Sequence, residues 1–187
     1  MKPSSILTRL TIVFVIAGLA ACSQAAAPAA YSRISAASVA SAASIGAPKA
    51  PVLTISGKIS ARNTPDGLAL DVAGLETLGL VKYKVRDPWL EADLEFSGVL
   101  VTDLLTATGA AADATSLQIT ALDDYQVDIS IADAKRWPIM LATRTGGAPM
   151  TIEDKGPMRI VFPADPSIDA LKTKDLWIWQ IKTIEVR

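Results

Sequence analysis

The sequence predicts an α+β domain, mixed and mainly β, with short helices, over residues 51–187. Three features predict it. Short strand-like runs outnumber short helical ones, no strand–helix–strand rhythm of a doubly wound sheet runs through the chain, and no segment repeats. The first strand is VLTISGKI, in which Leu53, Ile55 and Gly57 alternate against Thr54 and Ser56. NTPDG, residues 63–67, is a turn by composition. DVAGLETLG opens on a capping Asp71, sets Leu75 and Leu78 on one face and closes at Gly79, which makes a short helix. VKYKV is strand-like. FSGVLVTDLLTATG ends a strand and enters a helix from about Thr102 that stops at Gly109. SLQITAL and YQVDIS are strands on either side of Asp123 and Asp124, and IADAKRW is a helical turn broken by Pro138. IMLATRTGGAPM is a strand running into a Gly-Gly turn, and MRIVFP is a strand stopped by Pro163. LWIWQIKTIEVR is the last strand. Its inward set slips from Trp179 and Ile181 to Ile184 and Val186, the mark of a bulge at Lys182 and Thr183.

Ahead of this domain the texture is different. Residues 1–21 carry Lys2 and Arg9, then an apolar run from Leu10 to Ala21 that is too short to span a bilayer comfortably. The run ends Leu19-Ala20-Ala21-Cys22, which resembles the cleavage and acylation site of a bacterial lipoprotein signal peptide. Cys22 is then the lipidated residue; an ordinary signal peptide or an uncleaved anchor is the alternative. Ser23 follows where an Asp would signal retention at the inner membrane, so the expected location is the periplasmic side of a Gram-negative outer membrane. More than one acyl chain would hold the protein stably, where a single chain gives marginal binding. Residues 22–50 make up this Cys and an Ala/Ser/Pro-rich tether. As a flexible coil, Ser23 to Ala50 would reach on the order of 30 Å.

Composition removes several function classes. The 187 residues carry a formal net charge of −1, which argues against a nucleic-acid partner. There is no histidine, so a Ser-His-Asp triad, a Cys-His pair and a His-rich zinc site are all excluded. The single cysteine, Cys22, has no partner in the chain for a disulfide. No nucleophile elbow, P-loop or dinucleotide fingerprint occurs.

Three sets of residues remain as candidates. Asp123, Asp124, Asp128 and Asp133 invite a calcium or acid–base reading, but they match no EF-hand spacing and suit a turn followed by a solvated strand face. Arg144 stands before the Gly146-Gly147 turn, and Lys155 and Arg159 flank Gly156-Pro157. These are paired structural charges or binders of an anion or a ring amide. Trp177 and Trp179, two apart on the expected last strand, would share a face as core packing or as a stacking wall for a flat heterocycle.

Taken in order, F-x-G-V-x-x-x-D-L-L from Phe96, D-x-Y-x-V-x-I from Asp123, G-x-P-M from Gly147 and K-G-P-M-R-I-V-F-P from Lys155 resemble the molybdopterin-binding oxidoreductase domain of the sulfite oxidase type. The resemblance covers most of Val52 to Arg187. It implies that fold, and a pterin or molybdopterin-like ligand. Catalytic members bind molybdenum through a Cys ahead of the tryptophan. Val85-Arg86-Asp87 stands there instead, and the segment after Pro163 lacks the family's glycines. Molybdenum is therefore not expected. The resemblance places candidate pterin-binding residues at Arg86, Trp89, Tyr125, Arg144, Arg159 and Trp179, with the aromatics against the ring and the guanidiniums on its amide edge. It further implies a non-catalytic ligand-reporting partner of a membrane signalling protein. A molybdopterin-dependent oxidoreductase with an atypical metal site, and a ligand-free protein-interaction scaffold, are the alternatives.

Overall fold

The computed structural model describes residues 31–187; the signal-peptide segment, Cys22 and the first part of the tether lie outside these residues. Among the described residues, eleven strands form two sheets that pack with four short α-helices around one core. The first sheet is antiparallel. It runs in the order β1 (Ser32–Ser35), β4 (Leu80–Asp87), β5 (Ala92–Leu100), β8 (Met140–Thr145), β10 (Arg159–Val161), with the short β9 (Ala148–Pro149) also paired to β8. The second runs β3 (Leu68–Leu70), β2 (Leu53–Gly57), β11 (Ile181–Val186), β6 (Ser116–Ala121), β7 (Gln126–Ser130). Only β2 and β11 pair in parallel there; they come from opposite ends of the domain.

Each element follows from local chemistry. In β4 the alternation puts Val81, Tyr83, Val85 and Asp87 inward and leaves Lys84 and Arg86 in solvent. The helix α1 (Val72–Glu76) starts at Asp71, whose Oδ1 accepts from the Gly74 amide at 2.7 Å. The helix α2 (Val101–Thr108) ends on Gly109 in the left-handed conformation, φ 62°. The Gly98 of the F-x-G-V motif sits where β5 shifts register against β8, and an added Cβ would overlap the Leu141 carbonyl. α3 (Ile131–Arg136) is capped by Ser130, whose hydroxyl accepts from the Ala132 amide at 3.1 Å. Leu53, Ile55, Phe96, Ile119, Leu141, Ile160 and Ile184 are buried in one core fed by both sheets. Each such side chain contributes roughly 1.5–3 kcal/mol.

Two expectations are corrected. The Ala/Ser/Pro-rich segment is not a free tether up to residue 50. Residues 32–35 form an edge strand on β4, Ala42 in a 3-10 turn is fully buried, and the Ser38 amide donates to the Thr77 carbonyl at 2.8 Å. Its small side chains let the backbone lie close against the domain, and the sheet edge supplies hydrogen-bond partners that a spacer would lack. The last strand begins only at Ile181. Gln180 takes φ 54°, so residues 177–179 form an irregular segment with a single bridge from Trp179 to Arg159. Trp177 and Trp179 are therefore not strand neighbours on one face. The expected bulge is present, as a register shift between Ile181 and Thr183 against β6.

Candidate functional site

Four aromatic side chains converge at one end of the domain. Trp89 sits in the β4–β5 connection, Tyr125 in the β6–β7 turn, and Trp177 and Trp179 in the segment before β11. With Ala121, Asp123, Asp175 and Ile178 they line a cavity of about 260 Å³. The Trp89 and Trp179 rings meet edge to face, with centroids 5.5 Å apart. Trp177 is buried, lying 6.4 Å from Phe162 in a stacked arrangement and 6.4 Å from Phe96 edge-on. Trp89 is 41% exposed and Tyr125 48% exposed, so much of their ring surface is open.

These rings are anchored on a short chain segment. The helix α4 (Ala170–Thr173) runs into a 3-10 turn, Lys174–Leu176. Trp89 Nε1 donates to the Lys174 carbonyl at 3.1 Å, and the Tyr125 hydroxyl donates to the Asp175 carbonyl at 3.3 Å. The Lys174 ammonium lies 4.4 Å from the Trp89 ring centroid, and that of Lys155 lies 4.2 Å from the Trp179 centroid. Asp123 holds its own turn, accepting from the Tyr125 amide through Oδ1 at 3.1 Å.

Of the six sequence-derived candidates, Trp89, Tyr125 and Trp179 meet in this cavity and the three arginines do not. Arg86 is on the solvent face of β4, because the strand period separates it from Asp87. It lines a separate hollow with Pro163, Asp165 and Ile168, sharing only Trp177 with the aromatic cavity. Arg144 clamps Glu76 of α1, with Nε to Oε1 at 2.8 Å and Nη2 to Oε2 at 2.9 Å, and Thr143 Oγ1 donates to the same carboxylate at 2.7 Å. Burial works against the Glu76 charge, but the hydrogen bonds from Arg144 and Thr143 prevail and hold its carboxyl below the usual range.

Arg159 is buried, 1% exposed, against the fully buried Asp87, with Nη1 2.8 Å from Oδ2. Beyond this ion pair, Asp87 Oδ2 and Arg159 Nε and Nη2 have no hydrogen-bond partner among the described residues. The guanidinium lies 5.2 Å from the Phe96 centroid and 5.6 Å from that of Trp177, so aromatic faces replace part of its hydration. Burial lowers the Arg159 pKa and Asp87 opposes that shift. Burial, then repulsion from Arg159, lowers the Lys155 pKa too. Asp87 also shapes the chain beyond it, since its Oδ1 accepts from the Trp89 and Leu90 amides at 2.8 and 2.9 Å and so sets the turn that presents Trp89. Trp177, offered by the sequence as core packing or a stacking wall, is both: buried against Phe96 and Phe162 and lining the cavity. Asp123 reads as a plain turn residue, and Asp175 gives no sequence signal, since only the folding of the 3-10 turn brings it to the mouth.

Fold and cavity together define an α+β domain with an aromatic-walled recess beside the ends of its central strands. The sequence model of the oxidoreductase molybdopterin binding domain matches residues 82–185, more than half of the chain, and the chain belongs to that family. The match runs from β4 into β11, so β1, β2 and β3 complete the sheets from outside it. Among solved structures, the crystal structure of the sulfane dehydrogenase SoxCD from Paracoccus pantotrophus is similar over 72% of this chain, with a TM-score of 0.55 and 14% identity. This chain covers 37% of that one, and the likeness concerns the fold. No curated protein gives a significant sequence match.

The family implies a molybdopterin, and its parts fit this site unequally. The cavity falls just under the roughly 300–1,000 Å³ of pockets for drug-sized ligands, room for one flat ring system. A metal finds no ligand set: among the described residues no three Cys, Asp or Glu side chains are gathered. Asp87, in the Val85–Asp87 stretch where the resemblance would place a cysteine, is committed to Arg159 and two backbone amides. A phosphate finds no basic side chain among those lining the cavity. The aromatic recess suits the ring; it offers no thiolate and no basic side chain, and Lys155 and Arg159 line a separate cavity of about 420 Å³.

Proposed function

We propose that this domain binds a pterin or a similar flat heterocycle between Trp89, Tyr125, Trp177 and Trp179, without redox catalysis, and reports it to a membrane signalling partner. The observation that carries the reading is the convergence of three separate chain segments to make one aromatic recess of ring size. The buried Asp87–Arg159 ion pair, in place of a metal-binding cysteine in the Val85–Asp87 stretch, supports the non-catalytic part of the reading. The lipoprotein-like N-terminus supports placement on the periplasmic side, tethered through Cys22. The folded edge strand at 32–35 leaves fewer residues between Cys22 and the domain than the composition suggests.

The test is what the exported full-length protein carries. A fluorescent pterin released on denaturation, and a rise in melting temperature with tetrahydropterins, are expected. Stoichiometric molybdenum would overturn the reading in favour of a molybdopterin oxidoreductase with an unusual ligand set. No released ligand together with no thermal shift would favour an interaction scaffold instead.

A further inference from the structure

We infer that the aromatic cavity selects its ring by a row of N–H donors, read by the Asp123 carboxylate with Asp175 beside it, and rejects rings that carry a phosphate. This rests on the reading of the cavity as a ring site and goes on to name what kind of ring it takes.

The polar groups at the cavity decide the point. Its walls are three indoles and a phenol, and its lining side chains include two carboxylates and no cation. Trp89 Nε1 and the Tyr125 hydroxyl donate to the Lys174 and Asp175 carbonyls, so neither of these donors is free for a ligand. An ionised carboxylate only accepts. A ligand edge that reaches these carboxylates must therefore offer donors to them, whatever it accepts from the Trp177 and Trp179 indole N–H groups on the other walls. The pterin edge does so, since its exocyclic amine and the adjacent ring N–H form a guanidine-like pair that suits the two oxygens of a carboxylate. The Tyr125 amide fixes Asp123 through Oδ1, so its orientation is set before a ligand arrives and Oδ2 stays available. A phosphate would meet like charge from Asp123 and Asp175. The Lys155 and Lys174 ammoniums keep their charge on the Trp179 and Trp89 rings but do not line the cavity, whose own charged side chains are the two carboxylates. The guanidiniums that the family resemblance would place on the amide edge are all held elsewhere, by Glu76, by Asp87 or on the outer face of β4.

The experiment compares ligands of one shape and different edges on the full-length protein, read by quenching of tryptophan fluorescence. Pterin and lumazine share a bicycle and differ in one group, an amine in the first and a carbonyl in the second. Pterin should bind at least about tenfold tighter than lumazine, because the carbonyl sets a lone pair against the carboxylate. Dihydroneopterin should likewise outbind its monophosphate. Asp123→Asn should shrink both preferences to within about threefold. Because Asp123 is exposed, and Asn still accepts from the Tyr125 amide, melting should be unchanged. Equal binding of pterin and lumazine, or an Asp123→Asn protein with undiminished discrimination, overturns the inference and leaves the ring site standing. If neither bicycle quenches, the pterin reading falls. Benzamidine, a flat donor-edged cation, then decides the inference by itself: binding that Asp123→Asn abolishes supports it, and no binding overturns it.

Discussion

Asp87 and Arg159 form the buried ion pair of the domain interior. Both lie inside the fold, and removing either leaves a buried charge without a counter-charge. Asp87→Ala should cost about 3–5 kcal/mol, measured as a lower urea midpoint. Arg159→Met in that background should recover part of the loss, because the remaining guanidinium is what destabilises the single variant. Arg159 is accordingly a structural charge first, and its replacement should reduce stability rather than ligand affinity alone. Trp89 presents the opposite case. It is 41% exposed and bounds the cavity, so Trp89→Ala should weaken binding of a stacking ring by about tenfold. Its melting temperature should fall by only a few degrees, read by thermal denaturation.

At the scale of elements, the β8–α1 junction is held by the Glu76 carboxylate under Arg144 and Thr143. Because the folded-state pKa of Glu76 is lowered, its stabilisation is present above its ordinary value of 4.5 and is lost as pH falls through the folded value. Glu76→Gln should remove about 1 kcal/mol at neutral pH, allowing for partial exposure of Arg144, and should flatten the acid limb of a stability–pH curve. Tyr83 acts at the other end of the scale. Burial pushes its phenol well above 10.0, and its hydroxyl donates to the Val161 carbonyl at 2.7 Å, so the contribution of the neutral form is lost only in strong alkali. The edge strand β1 gives a separate test. A chain beginning at Pro51 should be less stable than one beginning at Tyr31, since it loses the pairing on β4 and the buried Ala42. Equal urea midpoints for the two would show that segment to be an idle appendage.

At the scale of the molecule, the proposed lipid anchor lies at one end of the sequence and the recess is assembled from later segments. Cys22→Ser should move the protein from the membrane pellet to the soluble fraction, and continued pelleting would show that Cys22 is not the anchor. Ligand binding in the released protein should match that of the anchored one, because the recess is built within residues 89–179. A loss of binding on release would tie the recess to the membrane surface.

The sequence by itself determined the α+β class, most element positions, the bulge before Thr183, the family frame and the aromatic members of the recess. Those depend on local period, turn chemistry and ordered motifs, which are written along the chain. The tertiary structure alone decided which charges are used up. Glu76 meets Arg144 across 68 positions. Asp87 meets Arg159 between strands that are not neighbours in their sheet. Asp175 reaches the cavity only because a 3-10 turn is pinned by Trp89 and Tyr125. Local pattern fixes a residue's face, but the identity of its partner depends on long-range pairing, and that pairing turned an expected basic pterin site into an aromatic and acidic one.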